Sequence, residues 1–245
     1  MAGRRAYVIG DIHGRLDLLD ALLEKIHTEL EGRPARKTLL VFVGDLIDRG
    51  PSSAQVIERL RTYRRHGVRP VFILGNHEEV LLRILGGDAD LITKWRWFGG
   101  TQCLESYGVD VAQLAVLNPD DQLAMVRGAI PRSHVEFLDS FVDTCRFGDY
   151  LFVHAGIRPG IAIEEQLQSD LRWIREPFLF DDRDHGFVVV HGHTIIDQVE
   201  ERPNRIGIDT GAYRTGVLTA LTIEDGDRWY VDTRETADAD RAPTD

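Results

Sequence analysis

An α/β protein with parallel strands and a second sheet is predicted from three observations. Five short runs, Tyr7–Ile9, Leu39–Val43, Val71–Leu74, Leu151–Val153 and Phe187–Val190, are apolar at successive positions, as in strands covered on both faces. Amphipathic helical segments alternate with the first three runs. Each run is followed by a short motif rich in Gly, Asp, Asn or His, at the strand ends where α/β sheets place their sites.

The elements follow in order. Leu16–Leu30 reads as a helix with Leu16, Leu19, Leu22, Leu23, Ile26 and Leu30 along one side. Ser52–Arg65 reads as a second helix, with Pro51 suited to its first turn. Beyond Glu78 the pattern changes to short helices at Glu79–Leu85, Leu91–Trp97, Thr101–Tyr107, Asp120–Arg127 and Ser133–Phe141, punctuated by Pro119 and Pro131. This stretch, about 79–146, is expected to form a helical cap beside the site, anchored by Trp95 and Trp97. Arg205–Ile208, Val217–Ile223 and Arg228–Asp232 are short and β-rich, and Asp225-Gly226 is a hairpin signal. These late strands are expected to build the second sheet. One domain is expected over 1–232, followed by a polar, aperiodic tail at 233–245 expected to be disordered.

Composition narrows the classes of function. With 245 residues the chain can bury a substantial core. The formal net charge of −11 argues against non-specific nucleic-acid binding, which needs a basic surface. No apolar stretch is long enough to span a bilayer, and no signal peptide is read at the N-terminus, so a cytoplasmic location without membrane association is expected. Cys103 and Cys145 lie far apart and are expected to be reduced.

The motifs carry the chemistry. Gly10-Asp11-Ile12-His13-Gly14 offers Asp11 and His13 two residues apart; in an extended segment they would point the same way and reach one metal. Gly44-Asp45-Leu46-Ile47-Asp48-Arg49-Gly50 offers Asp45, whose two oxygens could bridge two metals. Gly75-Asn76-His77-Glu78 offers the amide oxygen of Asn76. His154, and either His191 or His193 of His191-Gly192-His193-Thr194, follow further strands. The mixed O/N donors suit manganese, iron or zinc. A lone Asp-x-His is usually an ordinary loop; five such motifs at strand ends are not. If Asn76 is a ligand in an extended segment, His77 faces the opposite side, free to act as a general acid, with Asp48 placed to orient it. Arg49 can hold phosphate oxygens, and Arg175 in Leu171-Arg172-Trp173-Ile174-Arg175 is a second candidate, with Trp173 read as packing.

The motifs, in this order and spacing, resemble those of the phosphoprotein phosphatase family of metal-dependent serine/threonine phosphatases, within the calcineurin-like metallophosphoesterases. The match runs from about Tyr7 to Ala212, and His-Gly-His-Thr looks like the bacterial and bacteriophage branch. The resemblance implies an α/β class, four-layer α/β/β/α metallophosphoesterase fold with two central sheets. It implies Asp11 and His13 on a first metal, Asp45 bridging, and Asn76, His154 and His193 on a second. It implies His77 paired with Asp48 as the catalytic acid, and Arg49 and Arg175 on the substrate phosphate. The cofactor expected is a pair of divalent ions, manganese first, iron or zinc next. The activity implied is direct hydrolysis of phosphate monoesters by a metal-activated water, on phosphoserine or phosphothreonine proteins, on phosphotyrosine, or on small phosphoesters. Symmetrical dinucleoside tetraphosphate hydrolases have similar motifs but tend to lack the Asp matching Asp48 and to carry Gly-Asn-His-Asp; Asp48 and Glu78 favour the phosphatase. A non-catalytic metal-binding regulator would be expected to have lost a ligand or His77, and none is missing.

Overall fold

The computed structural model describes residues 3–234. The chain begins β1 (Arg4–Ile9), α1 (Leu16–Glu31), β2 (Lys37–Phe42), α2 (Ser53–Arg61) and β3 (Val68–Phe72). Seven helical segments follow: α3 (Asn76–Gly86), α4 (Leu91–Trp95), a π-helical turn (Arg96–Gly100), α5 (Thr101–Ser106), α6 (Val111–Ala115), α7 (Pro119–Ala129) and α8 (Arg132–Asp139). The remainder is β4 (Thr144–Phe147), β5 (Tyr150–Val153), α9 (Gln168–Trp173), β6 (Val188–His191), β7 (Glu200–Glu201), β8 (Arg205–Gly207), α10 (Ala212–Thr215), β9 (Thr219–Glu224) and β10 (Asp227–Asp232), with short 3-10 turns between β5 and β6. The tail expected at 233–245 lies outside the described residues apart from Thr233 and Arg234.

Two five-stranded sheets result, in the orders β10-β9-β1-β2-β3 and β4-β5-β6-β8-β7. In the first, β1, β2 and β3 are parallel and β9 lies antiparallel to β1. In the second, β5, β6 and β8 are parallel, with antiparallel β4 and β7 at the edges. The late strands therefore do not form a second sheet of their own. Only β8 joins it, while β9 and β10 extend the first sheet. The exposed edge of β1 explains this: unpaired backbone groups need a partner, and β9, buried at all six positions, supplies one. The β9–β10 hairpin closes through Asp225 (φ 50°) and Gly226 (φ 102°), the positive pair a tight two-residue hairpin needs.

Side-chain alternation makes the layers. Tyr7, Ile9, Leu40 and Phe42 face α1 and α2, packing with Leu19, Leu22, Leu23 and Ile26. Ala6, Val8, Leu39 and Val41 face the other sheet's Phe152, Val190 and Ile206. The far side of that sheet, through Leu151, Val153 and Val189, packs on Leu171, Ile174 and Phe178. The order is α/β/β/α, as expected.

The helical insert is less detached than its sequence suggests. Leu81, Ile84, Ile92, Trp95, Cys103, Leu104 and Leu138 belong to the same apolar cluster as Tyr7 and Phe42. The chain leaves it beside β3, where Val142 N–H donates to Phe72 O and Leu74 N–H to Val142 O. Its expected end overlaps β4, and its first helix already starts at Asn76. Trp95 anchors it at 2% exposure, but Trp97 does not, at 85%. Helix α2 stops at Arg61, four residues early, because Thr62 turns its hydroxyl onto Glu58 O and the chain must reverse into β3. Both cysteines are free.

One buried ion pair ties the first sheet together. Arg5 on β1 sits opposite Glu224 on β9, with Nε donating to Oε2 at 2.7 Å and Arg36 reaching Oε1 at 2.6 Å. The hydrogen bond from Arg5 holds the Glu224 carboxyl below the usual carboxylate range, against burial. A depressed folded pKa stabilises above the unfolded pKa, and that gain is lost as pH falls through the folded value. Glu224→Ala strands Arg5 and should cost about 3 kcal/mol near neutrality in urea melts. The gap to wild type should narrow in acid; a gap that stays constant into strong acid contradicts this account.

Candidate metal centre

The C-terminal ends of β1, β2, β5 and β6 and the N-terminus of α3 converge on one cluster. Asp45 follows β2, and its carboxylate is surrounded by imidazoles. His154 Nε2 lies 3.4 Å from Oδ1, while His13 Nε2 and His77 Nε2 lie 3.6 and 3.8 Å from Oδ2. Asn76 Oδ1 is 2.9 Å from both His154 Nε2 and His193 Nδ1. Two groups thus share Asp45, one with His13 and His77, the other with His154 and His193.

The lone pairs converge. His13 Nδ1 is 2.8 Å from Ile47 O and His154 Nδ1 is 2.8 Å from Val43 O, so both rings donate from Nδ1 to backbone. A neutral ring that donates from Nδ1 carries its lone pair on Nε2. Burial pushes His13 down to about 3 and His193 to about 2, and it lowers His154, so all three stay neutral. Asp11 adds to the accumulation. Its Oδ2 accepts His193 N–H at 3.0 Å, but its buried Oδ1 has no partner. Burial, then Asp209 and Asp45, raise its pKa well above the ordinary value. A buried set of neutral imidazoles, carboxylates and an amide oxygen without matching donors fits divalent cations. Asp11, His13 and Asp45 could hold one, and Asp45, Asn76, His154 and His193 the other.

The local backbone differs from the extended segments the motifs suggested. His13 has φ 47°, so Asp11 and His13 meet the cluster through a turn. His193 has φ 62°, which rotates it away from His191. His191 instead packs edge-on against Phe178, and its Nδ1 is 3.0 Å from Gly192 O. The structure therefore brings His193, not His191, to Asn76. Asn76 and His77 are the first residues of α3 rather than extended neighbours. About 100° apart on the helix, they divide between the second group and Asp48.

Asp48 is fully buried, and its Oδ2 accepts from His77 Nδ1 at 2.6 Å and Trp95 Nε1 at 2.7 Å. Burial lowers the His77 pKa, but Asp45 and Asp48 outweigh it and raise it to about 9. Arg49 reaches His77 Nε2 at 3.3 Å and lies over the Tyr213 ring at 4.7 Å. A pocket of about 350 Å³ opens above the cluster, lined by Arg49, His77, Arg175, His193, Phe98 and Trp173. Trp173 is 43% exposed at its mouth, with Nε1 donating to Glu79, so it is not a core packing residue.

Sequence reading missed three contributors. Glu78 is wholly buried and accepts from the N–H groups of Asp45, Leu46, Ile47 and Gly75 at 2.8–3.2 Å. It ties the Asp45 loop to α3, and its signal was its place three residues into a helix start. Gly75 permits that approach, since a Cβ there would lie 2.3 Å from Asp45 Oδ1. Trp95 is the second and Tyr213, edge-on to His13, the third; neither carries a local sequence signal.

A buried carboxylate–histidine pair thus lies beside two groups of candidate metal ligands that share Asp45, with Arg49 and Arg175 on the pocket wall. The calcineurin-like phosphoesterase family profile matches residues 4–217, and the chain belongs to that family. It is 27% identical to the asymmetrical bis(5'-nucleosyl)-tetraphosphatase PrpE of Bacillus velezensis, over 96% of this chain and 95% of that one. It is also 27% identical to serine/threonine-protein phosphatase 2 of Escherichia coli, over 90% and 94%. Among solved structures, the cold-active protein-tyrosine phosphatase of a psychrophilic Shewanella superposes with a TM-score of 0.54 at 17% identity, covering 94% of this chain and 82% of that one. At that identity it speaks for the fold alone. The protein is thus a metallophosphoesterase hydrolase of a family that works with a dimetal centre.

Trp95→Phe keeps an aromatic ring, though a smaller one, and removes the N–H to Asp48. On an alkyl phosphate kcat should fall on the order of tenfold, with little change on an activated aryl phosphate. Equal losses on both would show that Trp95 acts only as packing.

Proposed function

We infer that the protein is a dimetal phosphatase hydrolysing phosphate monoesters, with phosphoserine and phosphothreonine on proteins as its substrates and manganese as its working metal. The observation that carries this is the Asp48–His77 pair aimed into the pocket. An alkoxide leaving from serine or threonine is strongly basic and must receive a proton, whereas phosphate leaving from a polyphosphate chain needs far less help. A protonated histidine held by a carboxylate, itself held by Trp95, suits the first reaction.

Asp11, His13, Asp45, Asn76, His154 and His193 would hold the two ions. When bound, these would acidify a shared water and draw charge from the phosphate oxygens. Arg49 and Arg175 hold the non-bridging oxygens from the pocket wall and offset charge that builds in the transition state. Asp48 keeps His77 Nδ1 occupied, which leaves Nε2, beside Arg49, as the nitrogen that would protonate the leaving oxygen. The second reading, dinucleoside tetraphosphate hydrolysis, draws support from the name of the Bacillus relative.

A panel of phosphoserine peptide, aryl phosphate and diadenosine tetraphosphate, run with manganese, separates the two. The monoester reading expects the peptide and the aryl phosphate to turn over; exclusive cleavage of the dinucleotide would replace it. A chelator should abolish turnover and manganese restore it, and full activity in metal-free protein would remove the dimetal account. His77→Ala should lower kcat on the peptide by about 10²–10⁴-fold. Its effect should shrink on an activated aryl phosphate, and an undiminished loss there would remove the acid role.

A further inference from the structure

Two grooves adjoin the catalytic pocket and share lining residues with it. One, about 670 Å³, shares Arg83 with the pocket and carries Glu79, Asp139 and Asp143. The other, about 750 Å³, shares Arg49 and Phe98 with the pocket and is walled by Arg96, Trp97, Gln102 and Tyr213. None of the residues lining this second groove is acidic, in a chain of net charge −11.

The aromatic wall is built rather than loose. Trp97 is 85% and Phe98 56% exposed, although Trp95, two residues earlier, is buried on Asp48. They lie on the π-helical turn, and Gly99 at its end accepts Arg49 N–H at 3.0 Å. Gly99 has φ 112°, and a Cβ there would lie 2.6 Å from Arg49 N, so only glycine lets the turn seat against Arg49. The backbone that carries Trp97 is thereby seated against an arginine of the pocket. Large apolar side chains left in water beside a site mark a surface that is covered when a partner binds.

We propose that Trp97 and Phe98 form a docking lip for the polypeptide flanking the phosphorylated residue, seating an apolar substrate side chain next to Arg49. This rests on the phosphoprotein reading above. Two grooves adjoining one pocket suit a substrate that extends well beyond its phosphate. With Arg83 and Arg172 set against Glu79, Asp139 and Asp143, the first groove carries no net positive charge for a chain of further phosphates. Gln102 and Thr93 offer the second groove hydrogen-bonding groups for an extended backbone. Trp97 lies outside the catalytic pocket, so its removal reports on docking alone.

Trp97→Ala in the full manganese-loaded chain tests the lip. Kinetics would be compared with wild type on a phosphoserine peptide with apolar neighbours, an aryl phosphate and diadenosine tetraphosphate. The peptide kcat/KM should fall about 5–10-fold, through KM, as expected for one lost aromatic contact. The kcat on the peptide and all constants on the aryl phosphate should stay within about twofold of wild type. An unchanged peptide KM, or an equal loss on the aryl phosphate, overturns the proposal. A loss confined to the dinucleotide would assign the lip to a nucleobase and also overturn it. The underlying reading fails separately, in the wild-type arm, if aryl phosphate is cleaved and the peptide is not.

Discussion

The site is organised around the Asp45 carboxylate. Burial works against its charge; of the imidazoles around it, those of His154, His77 and His13, His77 is the one held protonated, and its charge offsets that penalty, so Asp45 stays ionised. Of these, His13 and His154 are neutral rings whose lone pairs face its oxygens or Asn76. Such a gathering of acceptors is unfavourable for the protein by itself. It becomes favourable with cations in place, which makes metal binding part of what keeps this end of the two sheets together.

Holding Asp45 there strains the backbone. Among the described residues, six non-glycine positions have positive φ, and five of them are His13, Asp45, Asp48, Arg49 and His193. Each such position costs on the order of 1–3 kcal/mol and persists only where its surroundings over-determine it. Glu78 provides that constraint at Asp45 through N–H groups from both loops. Ile12 and His13 N–H groups donate to Asp45 O, and His193 N–H donates to Asp11. Every strand end in the cluster is thus bonded to another, and the layered core beneath supplies the rigidity.

The fold and the cluster were legible in the sequence to different depths. Strands buried on both faces leave continuous apolar runs, and the α1 stripe repeats with helical spacing, so the four layers and the five motifs could be read locally. The sheet to which β9 and β10 belong could not, because pairing with β1 is a contact across more than 200 residues. The turned conformations of Asp11–His13 and Asn76–His77 could not be read locally, and spacing left His191 and His193 open. What sets them is tertiary: the Glu78 carboxylate, the Gly75 approach and the demands of Asp45 itself. Trp95 and Trp97 look alike in sequence, yet one meets Asp48 in the core and the other meets solvent.

The most direct test is the metal content of the manganese-saturated chain beside its Asp45→Asn variant, measured by elemental analysis after removal of free metal. The account predicts two ions per wild-type chain and fewer than two in the variant, because the amide carries no charge and cannot serve both groups with carboxylate oxygens. Two tightly held ions in the variant, or a wild-type chain that saturates at one, would contradict it.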